Sequence, residues 1–370
     1  MKELHIIELA GKVVQENGVF RGNAGDTALS SAFQYLFKEE FPKNKITFMQ
    51  CRKVFTENDV NEINNADLLV IAGGGLFLND STNPRTNEVF ENEVSDWMWG
   101  ISKELLEKIK IPIIVYSVGY NRFRNQREFK ESFTETVNLL AKKSIFFSLR
   151  NSGSVESLKK YIDKKYHRKL KLNFCPTLLL NNKYGFKNNL QNKKVGFVIA
   201  GDRIDKRHKN LDEFSKHIKI FVEFLKTEGY ETILINHLYD TWIEKYVKFD
   251  KFIDLYGKPT EQVYKTYSEI DVVVADRGHG QMIPFACGCK IISPVSHEKL
   301  NWFLRDIDLA EFGIDESDIN LSKKLIEKFK KIQSLDWDKK HQLGMDKIKT
   351  TNYENIEIIM KLLNFEKLKT

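Results

Sequence analysis

Only four cysteines occur in 370 residues, at positions 51, 175, 287 and 289, too few and too irregularly spaced for a disulfide framework. Cys287–Gly288–Cys289 has no second pair nearby to complete a zinc site, so no metal is expected. This usage fits a reducing cytoplasm. No stretch reaches the roughly 18 uninterrupted apolar residues of a spanning helix, and Met1 to Ala10 carries a short strand-like run instead, so the chain reads as soluble. Internal repeats and low-complexity tracts are missing. So are two nucleotide signatures: the spaced glycines with a downstream acid that hold a dinucleotide, and the Gly-Lys-Ser/Thr of a phosphate loop. A nicotinamide-dependent dehydrogenase and a nucleoside triphosphatase are thereby disfavoured.

What is present is an ordinary globular composition, 42% hydrophobic and 29% charged, at a length that exceeds one core and predicts two domains. The formal charge of +7 favours anionic small molecules, acidic polysaccharide or an anionic membrane surface. It falls short of a nucleic-acid-binding signature. In the densest basic patch, Ser322 to Gln333, residues Leu325, Ile326, Phe329 and Ile332 share one helical face among lysines. Such a segment either rests on a membrane surface or packs its apolar side on the core.

Strand-like and helix-like runs alternate to about Leu180, the pattern of a mostly parallel sheet covered by helices. The strands expected are His5–Leu9, Ile46–Gln50, Leu68–Ala72, Ile113–Val118, Ile145–Leu149 and Leu172–Cys175, with amphipathic segments such as Thr27–Lys38 and Ile101–Lys110 between them. Asn181 to Lys194 is polar and lacks an apolar period, so it reads as a linker. The alternation then restarts with strands at Val195–Ala200, Thr232–Asn236, Val272–Ala275 and Lys290–Ser293 and helices at Asp212–Glu228 and Thr260–Ile270. A last helix is expected over Asn352 to Phe365. The division is therefore residues 1–182 and 183–370, two Rossmann-like α/β domains facing across a cleft, where ligands preferentially bind.

Four segments carry candidate chemistry. In Asp271 to Gly280 a buried β-run ends in Arg277–Gly278–His279. Arg277 offers a fork of donors to carboxylate or phosphate, and His279 can carry a proton near neutral pH. In Gly22–Asn23–Ala24–Gly25–Asp26 the glycines allow close backbone approach at a helix start, and Asp26 either caps that helix or takes a proton from a hydroxyl. Leu69 to Phe77 is a buried strand feeding Gly73, Gly74 and Gly75, which serve a tight turn or the close approach of a substrate. At Ser148 to Ser152 another strand ends in Arg150, which in a parallel sheet faces the cleft. Arg150 and Arg277 together would form a two-point anion clamp with one arm from each domain.

In this order these pieces resemble the polysaccharide pyruvyl transferase family. The resemblance rests on Gly22–Asn23–Ala24–Gly25–Asp26, Ile71–Ala72–Gly73–Gly74–Gly75, Ser117–Val118–Gly119, Leu149–Arg150 before Ser154, and Arg277–Gly278–His279 followed by Ala286, Gly288 and Lys299. It implies an architecture similar to the B-type glycosyltransferases and transfer of a pyruvyl group from phosphoenolpyruvate to a sugar of a cell-surface polysaccharide, or of its lipid-linked precursor, as a cyclic ketal. Carried over, it makes Arg150, Arg277 and His279 hold phosphoenolpyruvate, with His279 the proton donor and Asp26 a second catalytic candidate. Asn23, Gly73, Gly74, Gly75, Ser296 and Lys299 complete the expected substrate site. The implied reaction needs neither metal nor nicotinamide cofactor. Three positions depart from the family pattern: Gly278 replaces a larger apolar residue, Asn151 replaces an acid, and the serine–tyrosine pair before Lys299 is not intact, which leaves Ser296 and then His297 as the polar candidates there. The competing reading is a nucleotide-sugar glycosyltransferase of glycan assembly on the same scaffold, for which Asp306–Ile307–Asp308 would be a metal pair unless it is surface charge. Expected partners are phosphoenolpyruvate and a glycan or lipid-linked acceptor, with no nucleic acid. The expected location is the cytoplasm, with peripheral contact at the inner face of the membrane left open.

Overall fold

The computed structural model describes residues 3–11, 22–82, 89–124, 126–188 and 190–367. Its strands are β1 (Leu4–Ala10), β2 (Asn44–Gln50), β3 (Leu68–Phe77), β4 (Asp80–Thr82), β5 (Val89–Glu91), β6 (Ile113–Tyr120), β7 (Ser144–Leu149) and β8 (Leu170–Leu172), followed by β9 (Lys194–Val198), β10 (Glu231–Asn236), β11 (Lys251–Asp254), β12 (Val272–Ala275), β13 (Lys290–Val295) and β14 (Gly313–Asp315). Two six-stranded sheets result, ordered β2-β1-β3-β6-β7-β8 and β11-β10-β9-β12-β13-β14, with a β4–β5 hairpin beside the first. Neighbours in both large sheets pair parallel. Helices cover both faces, which is why the central strands are apolar without alternation: every residue of β6 and of β12 is buried.

Strand order reverses between β1 and β3 in the first sheet and between β9 and β12 in the second, and each reversal opens a crevice at the carboxyl ends of its strands. The two crevices face each other. The helix Ala24–Glu40 follows the first crevice and packs Ala24, Ala28, Leu29, Ala32 and Leu36 into the same cluster as the second sheet's core. Its first backbone N–H donates to the carbonyl of His237 (3.4 Å), and Ser31 meets Thr260 (2.9 Å between hydroxyls).

On the far side of the cleft the units are latched by polar groups. Asp306 accepts from the backbone N–H of Ser152 (2.7 Å), capping the helix Ser152–Leu158 from the other domain, and Arg124 reaches Glu298 (3.1 Å) and Asp315 (2.6 Å). Asp306 is buried with both carboxylate oxygens engaged by Ser152, so it is not surface charge. Among the described residues no cluster of His, Cys, Asp and Glu could hold a metal ion.

Several expectations are corrected. The three glycines do not end the strand in a turn; β3 continues to Phe77, bent at Gly73 and Gly74 where φ is positive. After β12 the helix Gly278–Ala286 begins almost at once, with Arg277 as its cap residue and His279 in its first turn. The last helix starts at Trp337 rather than near Asn352, since Trp337, Met345 and Ile348 are buried where the sequence looks polar. Its later part crosses the 182/183 boundary: Asn352 and Asn355 donate to the carbonyls of Phe174 (3.0 Å) and Leu172 (2.7 Å), and Ile359 and Leu363 join Leu4, Ile6 and Phe33. In the helix Leu321–Gln333, residues Leu321, Leu325, Phe329 and Ile332 are buried in the core, so that apolar face is not free for a membrane. Among the described residues no helix is long and apolar enough to cross one.

Candidate functional site

The two crevices enclose a cleft holding about 120 Å³ of space. From the N-terminal sheet come Asn23, Asp26, Gly73, Gly74, Gly75 and Arg150; from the C-terminal sheet come Arg277, Gly278, His279 and Lys299. Ser296 does not line it. Its hydroxyl lies 2.9 Å from Nδ1 of His297, and His297 is fully buried with its ring against Phe123 (centroids 4.7 Å apart).

The N-terminal wall is made by backbone. Gly73 and Gly74 take φ of +69° and +82°, conformations open to glycine, and the pairing of β3 with β6 slips just beyond them. Gly119 on β6 is needed for a different reason: a Cβ there would overlap Nε of Arg150, whose side chain lies across it. Beside it Ser117 is held at φ +53°, a strained value for serine, by its hydroxyl donating to the carbonyl of Asn173 (2.8 Å) and its N–H donating to the hydroxyl oxygen of Ser148 (3.0 Å). Asn23 caps the helix Ala24–Glu40 by accepting from the N–H of Gly25 (2.8 Å), so the side chain of Asp26 is left for the cleft. Asp26 lies 3.6 Å from Arg52 and 3.8 Å from Nδ1 of His279. Burial pushes its carboxyl above the usual range, against the pull of Arg52, Arg277 and Arg150.

The C-terminal wall is made by ion pairs. Nη2 of Arg277 lies 2.6 Å from Asp202, 2.6 Å from Asp240 and 3.0 Å from the carbonyl of Leu238. Against the cost of burial these carboxylates raise its pKa, while its Nε is buried with no hydrogen-bond partner. Asp202 also binds Arg207 (3.1 Å) and Arg203 (3.2 Å); against the upward push of burial, Arg207, Arg277 and Arg203 hold its carboxyl well below the usual range. Behind them His208 is clasped between Asp276 (3.3 Å) and Glu316 (3.1 Å), all three buried, and despite burial both carboxylates raise its pKa.

Two cations of the cleft have no carboxylate partner among the described residues. Arg150 is 3% exposed, and burial pushes its pKa down. Burial, then Arg150 and Arg207, hold Lys299 well below the ordinary lysine value. His279 is likewise depressed by burial, Arg150, His237 and Lys299. The cleft therefore carries positive potential: Arg52, Arg150, Arg203, Arg207, Arg277 and Lys299 outnumber Asp26, Asp202 and Asp240. An anion entering it would favour the protonated forms of Lys299 and His279.

Sequence reasoning missed Asp202, Arg203, Arg207, Asp240 and Arg52. Gly201–Asp202–Arg203 follows β9 as Arg277 follows β12, so the same strand-end rule applied there would have found the first of them. Asp240 follows β10 in the same way, through a turn in which Tyr239 has φ +58°.

The family model for polysaccharide pyruvyl transferase matches residues 23–299. No curated protein matches the sequence. Among solved structures, a Staphylococcus aureus MnaA–UDP complex is similar at 8% identity and TM-score 0.57, over 99% of this chain and 97% of that one. A UDP-N-acetylglucosamine 2-epimerase follows at 10% and 0.54, over 100% and 97%. Phytolacca americana UGT2, complexed with UDP-2-fluoro-glucose and pterostilbene, follows at 7% and 0.50, over 98% and 99%. At these identities the likeness is one of fold, two Rossmann-like domains as in B-type glycosyltransferases.

Proposed function

The chain belongs to the polysaccharide pyruvyl transferase family, and from that premise we propose that its donor is phosphoenolpyruvate, transferred as a ketal to a cell-surface polysaccharide or its lipid-linked precursor. The observation that carries this reading is the pair of uncompensated cations, Arg150 and Lys299, facing the half-occupied fork of Arg277 in a cleft sized for a small molecule. Phosphoenolpyruvate carries a carboxylate and a phosphate close together, which needs two cationic groups from different directions. Arg150 takes one anionic group from the N-terminal side. Lys299 and the free edge of Arg277 take the other. Burial and the nearby cations lower the pKa of His279, and a bound anion opposes them, which favours the protonated imidazole as an acid.

Protonated His279 gives its proton to the methylene carbon, forming the new C–H bond from the double-bond electrons and leaving an oxocarbenium-like centre. One sugar hydroxyl adds to that centre and a second displaces phosphate. Of the two hydroxyl protons, one balances the proton placed on the methyl group and the other leaves with phosphate. Asp26, beside His279 and biased by burial toward its protonated form, is the acceptor for a hydroxyl proton. No metal takes part in this scheme.

Thermal unfolding with phosphoenolpyruvate tests the donor. A ligand at 100 times its Kd adds about 2.7 kcal/mol, so a clear rise in Tm is expected, with none for UDP. Stabilisation by UDP alone would replace this reading with a nucleotide-sugar transferase.

A further inference from the structure

The ring of His279 belongs to the C-terminal domain, yet it is gripped by residues 25, 26 and 175. Gly25 presses on its face so closely that any Cβ there would overlap the ring. Asp26 faces Nδ1 at 3.8 Å. Sγ of Cys175 lies 3.7 Å from Nε2, and the hydroxyl of Thr177 donates to that same sulfur (3.1 Å). Cys175 and Thr177 are fully buried, and the carbonyl of Thr177 is fixed by the Tyr264 hydroxyl (2.6 Å).

We propose that Cys175 is a positioning residue: its sulfur occupies the Nε2 edge of His279 as acceptor, so that Nε2 keeps its proton and Nδ1 is the nitrogen that exchanges one with the substrate. This rests on the proposed pyruvyl transfer. Burial pushes the Cys175 thiol up, so the sulfur stays a neutral thiol that can accept from both Thr177 and the imidazole. Nδ1 is the edge shared with Asp26, and both Asp26 and His279 line the cleft. In the transfer step the N–H electron pair returns to Nδ1 while the proton goes to the methylene carbon, and the ring is left neutral with hydrogen on Nε2. That is the form Cys175 holds at rest, so the ring need not rotate or change tautomer between turnovers. Because the ring nitrogens face groups from the N-terminal side, proton donation also requires the two domains to stay together.

The test compares Cys175→Ala and Cys175→Ser with the unmodified protein. In metal sites a fixed outer partner of a histidine is worth roughly 10- to 100-fold in activity, and an effect of the same order is expected here. Cys175→Ala is expected to lower kcat by that order with KM for phosphoenolpyruvate unchanged, and to shift the acidic limb of the kcat profile. Cys175→Ser, which keeps an acceptor, restores most of the rate. Nitrogen-15 spectra of histidine-labelled protein, with His279→Gln as the assignment control, should show His279 protonated at Nε2 in the unmodified protein and a mixture of tautomers in Cys175→Ala. An Nδ1–H tautomer in the unmodified protein, or wild-type kinetics in Cys175→Ala, overturns the proposal. If the unmodified protein does not turn over phosphoenolpyruvate, the donor reading falls, while the spectra still decide which nitrogen Cys175 holds.

Discussion

Glycine backbone and a single free arginine form the N-terminal side of the cleft, whereas interlocked arginines and aspartates form the C-terminal side, although both sheets have six parallel strands and open at a reversal of strand order. The contrast teaches how one cleft can be both roomy and charged. Gly73, Gly74 and Gly119 remove side chains so that a ligand and the Arg150 side chain can lie against backbone. Arg277, Arg203 and Arg207 sit in a low-dielectric wall only because Asp202 and Asp240 offset them, and burying unpaired charges of that number would cost more than the fold can supply. Arg150 and Lys299 are the exceptions on either side, and both lose pKa to burial.

The largest effect is expected where the two walls touch. His279→Gln should lower turnover by roughly two to four orders of magnitude while leaving phosphoenolpyruvate affinity within about tenfold, since glutamine keeps a donor but cannot protonate carbon. Phosphate release with a pyruvylatable acceptor, together with solvent deuterium in the product methyl group, measures this. Near-normal turnover would assign the proton to another group.

The arginines should separate the walls. Arg277→Ala leaves Asp202 and Asp240 short of a buried partner, so it is expected to destabilise the protein by about 3–5 kcal/mol, besides weakening the donor. Arg150→Ala breaks no ion pair; it should leave the folded state intact and weaken phosphoenolpyruvate binding by about 2–4 kcal/mol. Chemical denaturation and calorimetric titration of both variants check the pair. Equal stability losses would erase the distinction.

A smaller change probes the backbone wall. In Gly119→Ala the new methyl group meets Nε of Arg150, and such overpacking costs about 1–3 kcal/mol. Part of that should appear as lost donor affinity through a displaced Arg150. Unchanged affinity in the folded variant would mean that Arg150 can lie elsewhere and still bind.

The smallest effect concerns Lys299 and pH. Its folded pKa lies below the unfolded value, so the folded, empty protein binds fewer protons and loses stability as pH falls from about 10.4 toward the depressed pKa. Lys299→Met removes that penalty and should raise ligand-free stability at neutral pH by about 0.5–2 kcal/mol, while abolishing most of the stabilisation by phosphoenolpyruvate. In the unmodified protein, donor binding takes up protons and weakens as pH rises through the pKa of the loaded site. Titration in buffers of different ionisation enthalpy detects the uptake.

The architecture and several site positions were legible in the sequence for simple reasons. Apolar runs such as Leu69 to Ala72 and Val272 to Ala275 can exist only as doubly covered strands, and residues at their carboxyl ends must face a crevice. Arg150, Arg277, His279 and Gly73 to Gly75 were found that way. Ser296 was not a cleft residue because its hydroxyl is spent on His297, a contact that local spacing does not reveal. β11 and β14 escaped notice as short edge strands without an apolar period.

By itself, then, the sequence determined what depends on neighbours along the chain: the alternation of strands and helices, the two Rossmann-like domains, and which residue types stand at strand ends; it offered Asp26 as the cap of the first helix, where the structure has Asn23. Tertiary structure alone decided what depends on groups far apart in the chain. It decided that Arg277 is half-neutralised by Asp202 and Asp240, that Arg150 and Lys299 are not, that the last helix returns to the first sheet, and that Gly25, Asp26 and Cys175 surround His279. The physical reason is that charge compensation and desolvation are sums over everything nearby in space, and no period in the sequence encodes that sum.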